Sequence, residues 1–389
     1  MTGADLVVTG GDRAGTVADI VIVDGRLADP AAAPAGAPTF DATGLLVAPG
    51  FVDLQCNGAA GIDLTREPER LWELAAVLPR WGVTAWLPTI VTAPAATRRR
   101  ALAAWRAGPA PSLDRGRPLA APLGLHFEGP FLAPERRGAH PVEYLAAPDA
   151  AVVESEGWAG AVALVTLAPE LPGAGALIAS LVARGIVVSA GHSSATAAET
   201  RAAVDAGVSY VTHLFNAMVP LHHREPGLAG VALSDDRLRV GLIADGLHVD
   251  PAMVAVAARA LGDRLSLVTD AVAALGAPAG PVPLGTYTAE VSATDGGVRL
   301  PDGTLAGSTL ALDQAVRNLV AFAGVPLEAA VGAVTEVPAR VLGLADRGTL
   351  APGAAGDLVL LAGDGTLVAT VIGGRVAYDR REGASSWRS

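Results

Sequence analysis

The sequence contains no lysine, and this absence excludes several kinds of chemistry. All 28 basic residues of the 389-residue chain are arginines. A phosphate-binding loop of the Gly-x-x-x-x-Gly-Lys-Ser/Thr type requires its lysine, and so does Schiff-base catalysis. A metal centre bridged by a carbamylated lysine cannot form either. Three common types of active site are therefore excluded before any motif is considered.

Cysteine is almost as scarce, and basic residues are fewer than acidic ones. Cys56 is the single cysteine, which excludes an intramolecular disulfide and a cysteine-rich zinc module. Acidic residues outnumber basic ones by 39 to 28, which gives a net charge of −11, and the chain has no basic tract. Such a chain is a poor nucleic-acid binder, so we expect no nucleic-acid partner.

Long apolar runs and a secretory signal are also missing. The longest uncharged stretch, residues 271–289, is interrupted by glycine and proline, so the sequence predicts no transmembrane helix and no membrane partner. Residues 1–5 lack the basic and apolar regions of a signal peptide, and we therefore expect a cytoplasmic protein. Hydrophobic residues nevertheless make up 51% of the chain, enough for a large core.

Both ends of the chain are rich in strand-forming residues. Residues 6–8 and 17–23 contain β-branched side chains, and Asp24-Gly25 after them is a strong turn signal. The C-terminal segment repeats this character at residues 357–361, 368–372 and 375–378. We therefore predict one small β-sandwich domain that is built from residues 1–47 and 346–389.

The middle of the chain alternates apolar runs with helical patterns, which is typical of βαβ units. Helical patterns such as 69–80, 175–184 and 195–206 lie between the runs. The eight candidate strands are residues 45–54, 83–91, 123–127, 162–167, 186–190, 210–213, 240–244 and 265–269. They predict an α/β fold, a (β/α)8 TIM-like barrel over residues 48–345, with its active site at the carboxyl ends of the strands.

Polar side chains follow these strands where a barrel builds its active site. Glu128, His192 and His213 follow the third, fifth and sixth strands, and Asp270 follows the eighth. One such residue alone is more often a surface residue or a satisfied core residue. Three potential metal ligands at three strand ends, with an aspartate at a fourth, favour a functional site over coincidence.

These four residues fit a catalytic metal centre. Two imidazoles and one carboxylate leave an open coordination position for water, which is the arrangement that catalytic zinc uses. Asp270 would be the general base for that water and would pass the proton to the leaving group. Two structural alternatives stay open, namely Asp270 as the N-cap of a helix over 271–275 and Glu128 as a buried carboxylate that accepts backbone N–H groups.

Longer motifs occur along the predicted barrel, and together they resemble one known family. They are LHFEGPF (125–131), GAHP (138–141), TLAPE (166–170), GHS (191–193), THLFNAM (212–218), REPGLAG (224–230), DGLHV (245–249), TDA (269–271) and LAGST (305–309). In this order they resemble the N-acetylglucosamine-6-phosphate deacetylases of the amidohydrolase superfamily, from about residue 48 to residue 340. HFEGPF, THLFNAM and REPGLAG are highly specific, whereas TDA or GHS alone is weak.

The resemblance implies a fold, a reaction and a set of site residues. The fold is a (β/α) barrel with a small β-sandwich, and the reaction converts N-acetylglucosamine 6-phosphate to glucosamine 6-phosphate and acetate. The implied metal ligands are Glu128, His192 and His213, and Asp270 is the catalytic acid and base. The residues that match substrate contacts are Ala139, His140, Asn216, Ala217, Arg224, Asp245, His248, Leu305, Ala306 and Gly307. A homodimer is also implied, in which Arg224 reaches the phosphate of the neighbouring subunit's substrate.

The residue types agree with these implied roles. The planar, permanently charged guanidinium group of Arg224 suits a phosphate group. His248 and Asn216 are suitable hydrogen-bond donors to phosphate oxygens. His140 can act in catalysis by donating to the acetyl carbonyl as negative charge develops on its oxygen. The alternatives are a surface salt bridge between Arg224 and Glu225, and an exposed loop position for His140.

The first strand departs from the pattern of many amidohydrolases. Those enzymes carry His-x-His there and bind a second metal, whereas this chain has Gln55-Cys56-Asn57. Because neutral amides bind zinc poorly beside imidazole, we predict one divalent metal per subunit, with Gln55 and Asn57 as possible site residues. Zn²⁺ is the first choice, and Fe²⁺, Co²⁺ and Mn²⁺ are alternatives. Cys56 should point away from its two neighbours.

Two other functions stay open from the sequence. The chain could be an amidohydrolase that acts on a different N-acetyl amino-sugar phosphate or on a cyclic amide. It could also be an inactive barrel that serves as a scaffold. An inactive relative would usually lose a metal ligand or the general base, however, and all four of those residues are present.

Overall fold

The computed structural model describes residues 5–13, 15–110, 113 and 118–382. Residues 1–4, which contribute to the expectation that there is no signal peptide, lie outside the described residues. No helix in these ranges is both long enough and apolar enough to cross a membrane.

Eight parallel strands in the described ranges form a barrel, which confirms the predicted α/β barrel fold. Each strand pairs with the next one along the chain, and a bridge between Cys56 and Ala271 joins the two ends of the ring. These strands, numbered barrel strands 1 to 8, are Phe51–Cys56, Val83–Val91, Leu125–Glu128, Val162–Leu167, Val187–Ala190, Val208–Val211, Arg239–Leu242 and Leu265–Leu267.

Helices lie between the barrel strands and pack against them. Ala197–Asp205 shows how the local sequence starts such a helix, since Thr196 and Glu199 form a reciprocal capping box. Its buried side chains, which include Ala203 and Val204, join the barrel core. The α-helices are Leu71–Val77, Ala95–Ala107, Ala151–Ser155, Ala174–Val182, Ala197–Asp205, Gly227–Ser234, Pro251–Leu261, Leu312–Ala323, Leu327–Gly332 and Glu336–Val341.

The first predicted strand, 45–54, is in fact two strands in two different sheets, so its prediction as one barrel strand is wrong. Leu46–Pro49 pairs with Leu358–Leu361 in a terminal sheet, and Phe51–Cys56 is barrel strand 1. The break falls at Gly50, where the chain passes so close to barrel strand 2 that an added Cβ would overlap a side chain there. Because both strands are buried, the apolar run carries no sign of the change of sheet.

Both ends of the chain contribute to this terminal sheet. Its eight strands in the described ranges are Leu6–Arg13, Thr16–Val23, Arg26–Ala28, Thr39–Asp41, Leu46–Pro49, Leu358–Leu361, Leu367–Ile372 and Arg375–Asp379. Leu358 and Leu360 enter the core of the terminal domain, whereas Val359 and Leu361 enter the barrel core. One face of the sheet therefore packs on the barrel. The domain boundaries at 47/48 and 345/346 stay a prediction.

A third sheet lies at the mouth of the barrel and was not predicted. We call this antiparallel sheet the mouth sheet, and its strands are Gly280–Leu284, Tyr287–Val291 and Val298–Arg299. Its apolar side chains cluster with Val272 and Ala306 on the rim of the barrel. The remaining strands have two residues each and are Gly58–Ala59, which pairs with Ile62–Asp63, and Ala121–Pro122. The mouth sheet places part of the stretch 271–289 next to the predicted active site.

Candidate active site

The predicted metal ligands and the predicted base meet at the carboxyl ends of the barrel strands. Glu128 is the last residue of barrel strand 3, and His192, His213 and Asp270 follow barrel strands 5, 6 and 8. The last three have positive φ angles of 49°, 25° and 48°. Such backbone conformations are uncommon outside glycine, cost about 1–3 kcal/mol each, and cluster at functional sites.

Glu128 and the two histidines are in direct contact. Oε1 of Glu128 lies 3.2 Å from Nε2 of His192 and 2.9 Å from Nε2 of His213, and the two Nε2 atoms are 3.0 Å apart. All three side chains are buried. Nδ1 of His192 lies 2.9 Å from the Arg136 carbonyl oxygen, which places the proton on Nδ1 and directs the Nε2 lone pair into the site. This donor set fits one divalent cation.

The electrostatics of this group follow from burial and mutual contact. Burial by itself raises the pKa of Glu128, but the hydrogen bonds with His192 and His213 and the charges of His192 and His140 outweigh burial and bring that pKa well below its usual range. Burial lowers the pKa of His213, but the bond to Glu128 outweighs it and raises the pKa overall. The carboxylate is therefore held in its ionised form, as a metal ligand must be.

His140 lies beside this group and is buried, so its alternative placement on an exposed loop is wrong. Its Nε2 lies 3.8 Å from Oε2 of Glu128, and its ring packs edge-on against His192. Glu128, His140 and His192 also offer ligand atoms within 4.8 Å of one another. His213 is the better candidate for the third ligand because its Nε2 lies closer to the other two. Burial lowers the pKa of His140 to about 3, which leaves its imidazole neutral at pH 7.

Asp270 faces the pocket and is held through one oxygen. Oδ1 accepts hydrogen bonds from Nε2 of Gln55 at 3.1 Å and from Nδ2 of Asn57 at 2.7 Å. Turns rather than a helix follow Asp270 in the described chain, so the alternative of a helix N-cap is wrong. Burial, and then the charge of Glu128, raise the pKa of Asp270 to about 6. A base with this pKa is ionised at neutral pH and still accepts a proton effectively.

Gln55 connects the two carboxylates. Its Oε1 accepts a hydrogen bond from the Thr212 hydroxyl, and its Nε2 therefore points at Oε1 of Glu128 at 3.0 Å and at Oδ1 of Asp270. Side chains supply the hydrogen bonds that the Glu128 carboxylate receives in the described structure, so the alternative of satisfaction by backbone N–H groups is wrong.

Cys56 is buried in the barrel core.

A pocket of about 270 Å³ opens beside these groups. The predicted substrate contacts that line it are Ala139, His140, Asn216, Ala217, His248, Leu305, Ala306 and Gly307. Gly307 has a φ of +64°, and an added Cβ would lie 2.9 Å from the carbonyl oxygen of Asp270, so the close approach requires glycine. Asp245 supports His248, with its Oδ2 at 2.7 Å from the Nδ1 of that imidazole.

Arg224, like Asp245, is a predicted contact that does not line the pocket of its own chain. Its side chain is exposed. It forms no ion pair with Glu225 within the described ranges, since Oε1 of Glu225 accepts from the backbone N–H groups of Ala197 and Gly227 instead. The salt-bridge alternative is therefore wrong.

Two parts of the pocket lining were not predicted from the sequence. Leu284, Gly285 and Tyr287 of the mouth sheet line the pocket, and so does Thr92. Thr92 comes directly after barrel strand 2, which ends at Val91. Its position gave a usable signal, because a polar residue after a predicted barrel strand is a candidate for the active site.

The chain resembles known proteins over most of its length. Residues 46–377 match the Amidohydrolase family. The chain is 39% identical over 352 residues to N-acetylglucosamine-6-phosphate deacetylase of Danio rerio, over 87% of this chain and 86% of that protein. It is 40% identical over 350 residues to N-acetylgalactosamine-6-phosphate deacetylase of Escherichia coli O157:H7, over 87% of this chain and 89% of that protein.

A solved structure agrees with these relatives. It is that of a mutant N-acetyl-D-glucosamine-6-phosphate deacetylase from Mycobacterium smegmatis in complex with N-acetyl-D-glucosamine-6-phosphate. It matches this fold with a TM-score of 0.83 and 36% sequence identity, over 97% of this chain and 100% of that chain. The chain therefore belongs to the amidohydrolase family, in the group that contains the N-acetylglucosamine-6-phosphate deacetylases.

Proposed function

We propose that this protein hydrolyses the acetamide of N-acetyl-D-glucosamine 6-phosphate to give D-glucosamine 6-phosphate and acetate. The observation that carries the proposal is the convergence of Glu128, His192 and His213 beside Asp270, in a pocket of a chain that is 39% identical to a deacetylase of this name. An amino-sugar phosphate is therefore the proposed small-molecule partner.

The proposed metal site holds one divalent ion per subunit, with Glu128, His192 and His213 as ligands. Zn²⁺ is the proposed metal because two imidazoles and one carboxylate suit it, although Fe²⁺, Co²⁺ and Mn²⁺ accept the same ligands. When bound, the metal supplies Lewis-acid polarisation of the carbonyl and an acidified water. The orientation of Gln55 supports a single metal, because its N–H group and not its oxygen faces the two carboxylates.

The proton transfers are assigned to Asp270. Gln55 and Asn57 hold its Oδ1, which leaves Oδ2 to take the proton of the attacking water and to return it to the departing nitrogen. His140 is proposed to donate from Nε2 to the acetyl oxygen as negative charge develops there. Ala139, Ala217 and the segment Leu305 to Gly307 are proposed to contact the sugar, since they line the pocket.

The phosphate is proposed to bind at the end of the pocket that contains His248 and Asn216. Asp245 orients the imidazole of His248 through Nδ1, so Nε2 is available to a phosphate oxygen. Arg224 is exposed and lies outside its own pocket, which supports a homodimer in which it reaches the neighbouring subunit's substrate. A cytoplasmic location is part of the proposal, and the single cysteine is consistent with a reducing compartment.

Acetate release from N-acetylglucosamine 6-phosphate by the metal-loaded protein tests the proposal. Arg224→Ala should raise KM for this substrate at least tenfold, since a charge-assisted phosphate contact contributes roughly 1.5–3 kcal/mol. The control Arg201→Ala, at another exposed arginine, should leave KM unchanged. Absence of acetate from the wild-type protein would overturn the proposed reaction, and an unchanged KM in Arg224→Ala would remove Arg224 from the phosphate site.

N-acetylgalactosamine 6-phosphate is a second candidate substrate. The observation that favours it is the 40% identity to the Escherichia coli O157:H7 deacetylase that is named for this sugar. The two sugars differ only in the orientation of one hydroxyl group, so the ratio of their kcat/KM values decides between them. If kcat/KM is higher for N-acetylglucosamine 6-phosphate, the first proposal is supported. If it is higher for N-acetylgalactosamine 6-phosphate, the second is supported.

A further inference from the structure

Thr92 contacts Nδ1 of His140, whereas the other imidazole nitrogen, Nε2, faces Glu128. Oγ1 of Thr92 lies 2.8 Å from Nδ1 of His140, and the backbone N–H of Thr92 donates to the same nitrogen at 3.3 Å. Both side chains are buried, with 2% and 5% of their surface exposed. The environment of Nδ1 in His140 is therefore set by this one residue.

The two contacts select one tautomer of His140. A backbone N–H can only donate, so Nδ1 must carry its lone pair for the buried N–H of Thr92 to be satisfied. A neutral imidazole with an unprotonated Nδ1 carries its proton on Nε2. Nε2 faces Oε2 of Glu128 at 3.8 Å, where an N–H is attracted by the carboxylate and a lone pair would be repelled.

The Thr92 hydroxyl has one competing acceptor. It lies 3.5 Å from the carbonyl oxygen of Glu128, and donation there would turn the hydroxyl oxygen into an acceptor for a proton on Nδ1. The contact with Nδ1 of His140, at 2.8 Å, is shorter than this one. Donation to the imidazole is therefore the better hydrogen bond.

Gly129 makes room for this arrangement. A Cβ at Gly129 would lie 2.3 Å from Oγ1 of Thr92, and the residue has a φ of +82°. The hydroxyl therefore occupies space that any other residue after Glu128 would fill. This close approach gives a physical reason for the glycine in the HFEGPF motif.

We propose that Thr92 is a positioning residue that fixes the proton of His140 on Nε2. His140 then faces the reacting carbonyl as an N–H donor, and it is neither a metal ligand nor a base. The identity of the acceptor rests on the proposed deacetylase function, whereas the tautomer does not. The side chain of Thr92 acts through His140, without a reacting atom of its own.

The test compares Thr92→Val, which removes the hydroxyl at nearly constant shape, with Thr92→Ser, which keeps it. Zn²⁺-loaded protein with ¹⁵N-labelled histidine is examined by two-bond ¹H–¹⁵N correlation, and the His140 signals are assigned by their loss in His140→Gln. The wild type and Thr92→Ser should show the Nε2–H tautomer for His140. Thr92→Val keeps the backbone N–H donor at 3.3 Å but loses the shorter hydroxyl contact at 2.8 Å, so its fraction of the Nδ1–H tautomer should exceed that of the wild type.

Kinetics provide the second measurement. Thr92→Val should lower kcat about tenfold with KM changed less than about twofold, since one hydrogen bond to a catalytic group is lost. Thr92→Ser should restore kcat to within about twofold of the wild type. Metal content should be equal in all three proteins, because Thr92 does not contact the proposed ligand atoms.

Specific outcomes would overturn the inference. A wild-type spectrum with the Nδ1–H tautomer at His140 would overturn it even if no variant folded. A Thr92→Val protein with the wild-type tautomer and wild-type kcat would also overturn it. If the wild type released no acetate but the tautomer changed in Thr92→Val, the proposed function would fail while the inference on Thr92 would stand.

Discussion

At the scale of single residues, the site depends on groups that fix how each polar side chain points. The residue types at the strand ends predicted which side chains converge, because parallel barrel strands end at one rim. They did not predict the orientation of Gln55. That orientation is set by the Thr212 hydroxyl, 157 positions away in the sequence, and no local pattern connects the two.

The raised pKa of Asp270 predicts a pH dependence. Burial and the charge of Glu128 raise it from 3.8 to about 6, so the ionised form, which acts as the base, is depleted as the pH falls through about 6. The value of kcat/KM should therefore decrease below this pH and approach a tenfold loss per pH unit. A pH–rate profile of the metal-loaded enzyme measures this, with metal content determined at each pH.

The opposite result would have a clear meaning. A profile that stays flat from pH 8 to pH 5 at constant metal content would show that Asp270 does not act as a base with this pKa. A loss of metal that parallels the loss of rate would assign the pH dependence to the metal ligands instead.

At the scale of elements, apolar periodicity predicted the barrel strands well and the short irregular sheets poorly. Buried parallel strands read as continuous apolar runs, which is why the runs at 83–91 and 162–167 match observed strands at both ends. The same continuity concealed the two strands within 45–54. The mouth sheet was missed because Gly280–Leu284 contains glycine and two prolines, which normally argue against a strand.

The mouth sheet is attached to the barrel through Asp63, and this attachment is testable. Oδ2 of the buried Asp63 accepts from the backbone N–H of Gly285 at 2.6 Å, and Oδ1 accepts from those of Thr65 and Arg66. In Asp63→Asn an amide nitrogen must face at least one of these N–H groups. An unsatisfied buried donor costs about 1–3 kcal/mol, so we expect KM to rise about tenfold, with a smaller change in kcat.

Steady-state kinetics and hydrogen exchange at the Gly285 amide measure this effect. Asp364→Asn is the matched control, since Asp364 accepts from a backbone N–H in an exposed turn and its substitution should change neither quantity. Faster exchange at Gly285 with an unchanged KM would show that the mouth sheet does not hold the substrate.

At the scale of the whole molecule, the absence of lysine and the position of Arg224 have a joint consequence. Arginine and histidine are the only side chains with which this chain can hold a phosphate by charge. His248 lines the pocket, but Arg224 does not line that of its own chain. We therefore propose, as part of the proposed function, that a second copy of the chain completes the phosphate site.

The terminal sheet was predicted from composition at both ends, but its contact with the barrel was not. The strand Leu358–Leu361 is buried on both faces, and its side chains pack into two different cores. Its four consecutive residues are apolar because one face contacts the barrel and the other contacts the core of the terminal domain. A sequence read one segment at a time reveals burial on both sides without revealing what covers each side. That information resides in the three-dimensional packing of segments that are distant in sequence.

The central claim is that one metal and Asp270 perform deacetylation together. The most direct measurement determines metal stoichiometry and acetate release from N-acetylglucosamine 6-phosphate on the same purified sample, for the wild type and for Asp270→Asn. We predict one divalent metal per subunit in both proteins, and a loss of about 10²–10⁴ in kcat for the variant, which lacks the general base. A wild type that carries metal but releases no acetate, or a variant that keeps its rate, would contradict the account.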